Sequence, residues 1–274
     1  METETIQVMG VTLRRPTQFQ VSCASKSCTY LQNGFCVVCD CAACTGGFLI
    51  DEWKQRIRAG DAACGPRECA CVQRARNRKH LRDSGLEKLV EKCTFDNFRT
   101  DTSWRKIVKD KALAYLKDCH SSSYYIGGQS GAGKTHICTA ICGEIMRQGH
   151  KLRYFQWIKD GLRLKQIISE REVYEKELKT WAEVPLLYID DLYKNEISDA
   201  DIRLLYEILN ARYNNELPTI LSSERSLAEI GRARGGAGEA LTGRIFEMCG
   251  SGRYCIEVEG KDKNTRFHPV AAAT

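Results

Sequence analysis

The fold is decided by the stretch Gly127-Gly128-Gln129-Ser130-Gly131-Ala132-Gly133-Lys134-Thr135, which from Gly128 reads G-x-x-x-x-G-K-T, the pattern of a phosphate-binding loop. Glycines let the backbone turn tightly, so that successive N–H groups point at phosphate oxygens. Lys134 can reach the β- and γ-phosphates, and the Thr135 hydroxyl is a hard oxygen ligand suited to Mg²⁺. The predicted nucleotide-binding residues are Gly128, Gln129, Ser130, Gly131, Ala132, Gly133, Lys134 and Thr135.

The segments on either side of this loop strengthen the prediction. Tyr124-Tyr125-Ile126 precedes it and is typical of a short buried strand. Thr135 to Gly149 follows it, with isoleucines at four-residue spacing that form one apolar helix face, namely Ile137, Ile141 and Ile145. A strand, a glycine loop and a helix in this order place an anion at the helix N-terminus, where the backbone N–H groups are unpaired.

A second strand is predicted to bring acidic residues to the same place. Leu186 to Ile189 is an apolar run that ends in Asp190 and Asp191, and ligands bind at the carboxyl ends of strands in open α/β sheets. Asp190 is the candidate Mg²⁺ ligand, directly or through water, and Asp191 is the candidate general base for an attacking water. Another strand, Leu152 to Trp157, lies between Lys134 and Asp190 in the sequence. This favours a sheet in which a further strand separates the two motif strands.

Composition limits the remaining possibilities. The chain has 274 residues, 43% of them hydrophobic, which is enough for one core and a small extra module. No apolar run approaches the roughly 20 residues that a membrane span needs. Met1 to Thr12 is polar and unlike a secretory signal, so we expect a cytoplasmic protein with no membrane partner. A net charge of +6 is compatible with a nucleic-acid partner without requiring one.

The cysteines predict a separate metal-binding module over residues 1–80. The chain has 15 cysteines, and in a reducing compartment clustered cysteines indicate metal ligands rather than disulfides. Pairs at C-x-x-C spacing aim two thiolates at one point. We predict a zinc site formed by Cys41, Cys44, Cys69 and Cys71. A second set is Cys23, Cys28, Cys36 and Cys39. An iron–sulfur cluster and simple packing of the thiols are the alternatives.

The rest of the chain supplies further elements. Residues 81–100 are predicted to be a linker, and residues 101–270 the ATPase domain. Ser198 to Asn214 is predicted to be a helix capped by Ser198 and Asp201, and Pro218 to Glu224 a strand that ends in polar residues. Arg232 to Gly243, rich in glycine and arginine, is predicted to be a mobile loop.

Ile158 to Trp181 is predicted to be helical and heavily charged. Its basic residues are either a face for single-stranded DNA or a solvated surface, and they are Lys159, Arg163, Lys165 and Arg171.

Together these motifs resemble the DnaC/DnaI-type helicase loaders, which are AAA+ ATPases related to the IstB-type transposition helpers. The motifs are the phosphate loop, Leu187–Leu192, Asn210–Tyr213, Pro218–Glu224 and Gly243–Ile245. The resemblance extends from about Cys93 to Arg266. It implies an α/β fold of the AAA+ P-loop type, a three-layer sandwich around a parallel sheet. Because 30 residues follow Arg244, we expect none of the helical lid of larger AAA+ proteins.

The resemblance also implies roles for individual residues. Lys134 and Thr135 match the Walker A lysine and its Mg²⁺ ligand, and Asp190 and Asp191 match Walker B. Ser223 or Glu224 falls at the sensor I position, where relatives often have asparagine. Arg244 matches the arginine finger, which completes the ATP site of a neighbouring subunit and so implies self-association or a mixed assembly. A trans arginine is reasonable because negative charge spreads over the γ-phosphoryl oxygens in the transition state.

The function that the family implies is ATP-dependent loading of the replicative helicase. In that case the cysteine-rich module grips the helicase and the AAA+ part contacts single-stranded DNA. Two other functions stay open: an IstB-type transposition helper that acts on duplex DNA, and an ATP-dependent binding switch with little hydrolysis. The cofactors implied are ATP, Mg²⁺ and a structural Zn²⁺.

Overall fold

The computed structural model describes residues 81–233, 236–260 and 263–264, together with Gln55 and the backbone of four short strands near the N-terminus. The chain divides into two compact units, Met1–Asp83 and Ser84–Thr274. In the first unit, β1 (Thr3–Val8) pairs antiparallel with β2 (Val11–Pro16), and β3 (Leu31–Gln32) pairs with β4 (Phe35–Cys36). The predicted zinc ligands Cys41, Cys44, Cys69 and Cys71 lie outside the described residues.

A five-stranded parallel sheet forms the centre of the second unit. Its strands are β5 (Tyr124–Gly128), β6 (Leu152–Gln156), β7 (Leu186–Leu192), β8 (Thr219–Ser223) and β9 (Cys255–Val258). Their order across the sheet is β6-β7-β8-β5-β9. β8 therefore lies between the strand that leads into the phosphate loop and the strand that ends in the two aspartates, and this confirms the predicted strand arrangement.

The helices of the second unit surround this sheet. They are α1 (Glu87–Val90), α2 (Ser103–Tyr115), α3 (Lys134–Arg147), α4 (Trp157–Gln166), α5 (Arg171–Ala182), α6 (Asp199–Asn214), α7 (Leu227–Arg232) and α8 (Gly236–Met248). Connections between parallel strands are right-handed. α3 connects β5 to β6 in one direction across the sheet, whereas α4 to α8 make the connections from β6 to β9 in the opposite direction. α3 and the group α4 to α8 therefore cover opposite faces of the sheet. Among the described residues, no helix has the length and apolar character needed to cross a membrane.

The predicted linker 81–100 is largely part of the second unit. Leu86 and Phe98 are buried there. Val90 lies in α1, which packs against Gly143 of α3. The carbonyl of Thr94 accepts a hydrogen bond from His136 of the same helix, with Nε2 at 3.0 Å. Residues before the sheet therefore hold the first turns of α3 in place.

The helical prediction for Ile158–Trp181 is confirmed, and the segment forms two helices, α4 and α5, which are separated at residues 167–170. One other prediction is wrong. The mobile loop expected over Arg232–Gly243 is the end of α7 and the first half of α8. A Cβ on Gly238 would overlap the carbonyl oxygens of Ile230 and Ala233. Glycine is therefore present at this position because the backbones of α7 and α8 approach each other closely.

Candidate nucleotide-binding site

The phosphate loop joins β5 to α3 as the sequence predicts. Gly128 has φ +110°, and a Cβ there would overlap the carbonyl of Val258 at the end of β9. The N–H of Gln129 donates to the same carbonyl at 2.8 Å. Gly133 caps α3 in the left-handed conformation, with φ +83°. The loop is thus held against β9 on one side and leads directly into the N-terminus of α3, where an anion is stabilised.

Lys134 lies inside the loop, with only 6% of the residue exposed. Its Nζ donates hydrogen bonds to the carbonyls of Gly128 and Gln129, each at 2.9 Å. Burial lowers the pKa of Lys134, and the carboxylates of Glu224 and Asp191 oppose this by favouring the charged form. The ammonium group is therefore already at the place where the motif requires a cation for the β- and γ-phosphates.

Asp190 is surrounded by hydroxyl groups. The residue is 5% exposed. Its Oδ1 accepts hydrogen bonds from Thr135 Oγ1 at 3.1 Å, from Tyr188 OH at 2.8 Å and from Ser222 Oγ. Its Oδ2 accepts one from Tyr154 OH at 2.9 Å. The two predicted Mg²⁺ ligands, Thr135 and Asp190, are thus in direct contact, and a carboxylate with a hydroxyl is the hard oxygen donor set that fits this ion.

Asp191 lies at an irregularity in the pairing of β7 with β8, between Ile189 and Leu192. Its backbone has φ +54°, and its N–H donates to Ser222 Oγ at 3.2 Å. Its Oδ2 forms an ion pair with Lys194 Nζ at 2.7 Å. The predicted general base therefore stands at the expected sheet edge with its carboxylate paired to a lysine.

The two sensor I candidates differ in what their side chains do. Ser223 is fully buried, and its Oγ donates to the carbonyl of Leu192 at 2.7 Å while accepting from the N–H of Arg225 at 3.1 Å. Its hydroxyl thus connects β8 to β7 and is committed to the backbone. Glu224 follows it, is half-buried, and acts electrostatically on Lys134. The Ser223 hydroxyl therefore joins two strands, whereas the Glu224 carboxylate favours the charged form of Lys134 and so raises its pKa.

Arg244 lies on α8 beside two tyrosines of α6. Its guanidinium carbon is 4.9 Å from the ring centre of Tyr206 and 5.2 Å from that of Tyr213. Its Nη1 is buried without a hydrogen-bond partner in the described part of the chain. Cation–π contacts of this kind hold an arginine in one orientation. Within the described residues, no hydrogen bond or ion pair connects Arg244 to the phosphate loop of its own chain.

Most of the basic residues proposed for DNA binding are paired with acids. Arg163 contacts Glu177 at 3.1 Å, Lys165 contacts Asp201 at 2.6 Å, and Arg171 contacts Glu175 at 2.9 Å. Lys159 alone among the four predicted residues has no ion pair within the residues that the structure describes. The charge pattern of α4 and α5 thus fits a solvated surface better than a DNA-binding face.

Sequence reasoning missed the hydroxyls around Asp190. Tyr188 and Asp190 are two positions apart on one strand, so their side chains point to the same face of the sheet, and this spacing is visible in the sequence. Tyr154 is aligned with Tyr188 in the pairing of β6 with β7, whereas Ser222 comes from β8. The contacts of Tyr154 and Ser222 with Asp190 cannot be predicted from the neighbouring sequence, because each depends on which strands lie side by side in the sheet.

Several known proteins are similar to this chain. The phage-like element PBSX protein XkdC of Bacillus subtilis (strain 168) is 29% identical over 247 residues, which cover 84% of this chain and 87% of XkdC. Protein YqaM of the same organism is 31% identical over 76% of this chain and 66% of its own length. The replicative helicase loader DnaC of Escherichia coli (strain K12) is 25% identical over 70% of this chain and 78% of DnaC.

Solved structures show the same fold. A crystal structure of the DnaC helicase loader superposes with a TM-score of 0.53 at 23% identity, covering 64% of this chain and 99% of that one. A crystal structure of DnaI gives a TM-score of 0.52 at 18% identity, covering 64% and 93%. These likenesses show that the second unit shares the fold of these proteins, an α/β fold with a parallel sheet. The model of the IstB-like ATP binding protein family matches residues 66–252, which is more than half of the sequence. The chain therefore belongs to the family of IstB-like ATP binding proteins.

Proposed function

We propose that this protein binds and hydrolyses ATP and acts as a loader of a replicative helicase. The observation that carries the proposal is the contact between Thr135 of the phosphate loop and Asp190 of β7, beside the buried ammonium of Lys134. A cation for the phosphates and a hard oxygen pair for the metal meet at one sheet edge. This combination is what binding and hydrolysis of a magnesium–nucleotide complex requires.

Each part of the site has a role in this proposal. The loop N–H groups and Lys134 hold the β- and γ-phosphates, while Thr135 and Asp190 hold Mg²⁺. Bound Mg²⁺ would neutralise part of the phosphate charge. Asp191 and Glu224 are the two carboxylates at the edge where an attacking water would approach. Arg244 of a neighbouring molecule would stabilise the transition-state charge on the γ-phosphoryl oxygens.

The proposed partners come from the relatives. DnaC of Escherichia coli is described as a replicative helicase loader. One solved structure with the same fold, at a TM-score of 0.52, is the replication initiator DnaA bound to AMPPCP and single-stranded DNA. We propose that the AAA+ domain of this protein likewise contacts single-stranded DNA and that the cysteine-rich residues 1–80 hold the helicase around a structural zinc.

ATP turnover by the full-length protein, with the replicative helicase of the source cell and single-stranded DNA, tests the proposal. We expect magnesium-dependent hydrolysis, formation of a complex with the helicase when ATP is present, and transfer of the helicase onto single-stranded DNA. Absence of a helicase complex in the presence of ATP would rule out the loader function. Metal analysis of the same sample would establish whether the cysteines hold zinc or iron.

A second candidate function is a transposition helper, which the match to the IstB-like family favours. Such a protein would bind duplex DNA and a transposase. Parallel binding measurements with single-stranded and duplex DNA separate the two functions. Preference for duplex DNA together with a failure to bind the helicase would favour the transposition helper.

A further inference from the structure

Two tyrosines of α6 lie on the same face of that helix and contact one arginine of α8. Tyr206 and Tyr213 are seven residues apart, which is two helical turns or about 10.5 Å along the helix axis. The guanidinium carbon of Arg244 is 4.9 Å from the ring centre of Tyr206 and 5.2 Å from that of Tyr213. The guanidinium therefore bridges the two turns, and the two rings together restrict its movement along α6.

The helices that carry these side chains are fixed by their buried faces. Leu209 of α6 and Ile245 of α8 are fully buried, and the two helices pack against each other. Tyr206, by contrast, is 40% exposed, and Arg244 is half-buried. The two tyrosines and the arginine thus form a cluster that solvent or another molecule can reach, on a support that the core holds in place.

The hydrogen-bonding groups of Arg244 are not committed to its own chain. Its Nη1 is buried without a hydrogen-bond partner, and within residues 81–233 and 236–260 its side chain forms no hydrogen bond or ion pair. An aromatic ring attracts the charge of a guanidinium, whereas the N–H groups point outward in the plane of that group. Contact with two rings therefore orients the arginine and leaves its donors for an acceptor outside this chain.

The ring contacts can orient the arginine without competing with a phosphate. A cation–π interaction at a partly exposed site is weaker than a charge-assisted hydrogen bond to a phosphate oxygen. A free arginine side chain has many rotamers, and it loses this freedom when it binds. Rings that restrict the rotamers beforehand reduce this loss, which is the general advantage of a pre-organised binding group.

We propose that Tyr206 and Tyr213 are positioning residues that orient Arg244 towards the γ-phosphoryl oxygens of ATP bound by a neighbouring subunit. This inference rests on the proposed ATP hydrolysis in an assembly. Arg244 itself would contact the nucleotide, and the tyrosines would act only through it. Loss of the rings should therefore impair hydrolysis at the neighbouring ATP site and leave the ATP site of the chain that carries them intact.

Mixtures of full-length variants test this inference, because the arginine and the ATP site can be placed on different chains. The donor chain, Lys134→Ala, keeps Arg244 and binds ATP weakly, whereas the acceptor chain, Arg244→Ala, keeps its ATP site and lacks the arginine. Each should hydrolyse ATP slowly alone, and their mixture should recover hydrolysis. Adding Tyr206→Leu and Tyr213→Leu to the donor should lower the recovered kcat by about tenfold or more, since small misplacements of a catalytic group have effects of this size.

Two controls separate positioning from stability. The same double substitution in the acceptor should leave the recovered kcat unchanged within about twofold, because that chain has no arginine to orient. Recovery in this mixture also shows that a chain with both substitutions folds and binds ATP. Tyr206→Phe with Tyr213→Phe in the donor keeps both rings, so the recovered kcat should stay within about threefold of that with the unsubstituted donor.

Several results would overturn the inference. They are an unchanged recovered kcat with the leucine-substituted donor, an increase in that kcat, which would mean that the rings hold Arg244 away from the neighbour, and equal losses from the double substitution in donor and acceptor. A mixture that recovers no hydrolysis while the wild type is active would also overturn it, because Arg244 then does not act between subunits. Failure of the proposed function is distinguishable, since the wild-type protein alone would then leave ATP intact, and both proposals would fall.

Discussion

The hydroxyls around Asp190 predict that two similar substitutions have different costs. Oδ2 accepts a single hydrogen bond among the described residues, from Tyr154, whereas Oδ1 accepts three, from Thr135, Tyr188 and Ser222. Tyr154→Phe leaves Oδ2 buried without a donor. Loss of a hydrogen bond to a charged group costs about 1.5–3 kcal/mol of unfolding free energy. Tyr188→Phe leaves two donors on Oδ1, and we expect a cost of about 0.5–1.5 kcal/mol.

Chemical denaturation of both variants measures this difference directly. Because both substitutions remove one hydroxyl and keep the ring, each is the other's control. The same oxygen network orients Asp190 for the metal, so Tyr154→Phe should also weaken Mg²⁺-dependent ATP binding by about tenfold or more. Equal costs for the two variants, or a larger cost for Tyr188→Phe, would refute the argument that Oδ2 depends on one donor.

Two more pairs of variants test the packing that supports the site. Gly238→Ala should lower the unfolding free energy by about 1–3 kcal/mol, because its methyl would overlap the backbone of α7. Gly243→Ala on the same helix meets no atom and should raise the unfolding free energy by about 0.5–1 kcal/mol. Thermal unfolding should therefore give a lower Tm for Gly238→Ala and a higher Tm for Gly243→Ala than for the wild type. Arg212 is fully buried and donates to Thr219 Oγ1 and four backbone carbonyls. Arg212→Met should therefore cost about 3–5 kcal/mol, while Met at the exposed Arg203 should cost less than about 0.5 kcal/mol.

The strand, loop and helix around Lys134 could be predicted because their signals are local. The apolar spacing of Ile137, Ile141 and Ile145 identifies the buried face of α3, and all three residues are buried. The cap of α6 was equally clear, since Ser198 and Asp201 form the reciprocal capping hydrogen bonds that their spacing predicts. Local patterns therefore identified the elements that carry the phosphate loop.

Features that depend on distant contacts could not be predicted. The glycines of α8 resemble a loop until the close approach of α7 is known, because composition does not reveal packing. The rings of Tyr206 and Tyr213 lie against Arg244, a contact that depends on how α8 packs against α6. The contact of Ser222 with Asp190 likewise depends on the position of β8 between two other strands, which only the assembled sheet fixes.

ATP binding by the wild-type protein and Lys134→Ala tests the central claim most directly. Lys117→Ala, at an exposed position after α2, is the matched control. The account predicts magnesium-dependent binding by the wild type and the control, and an affinity at least about tenfold weaker for Lys134→Ala, because a charged hydrogen bond to the phosphates is lost. Equal ATP affinity for wild type and Lys134→Ala would contradict the account.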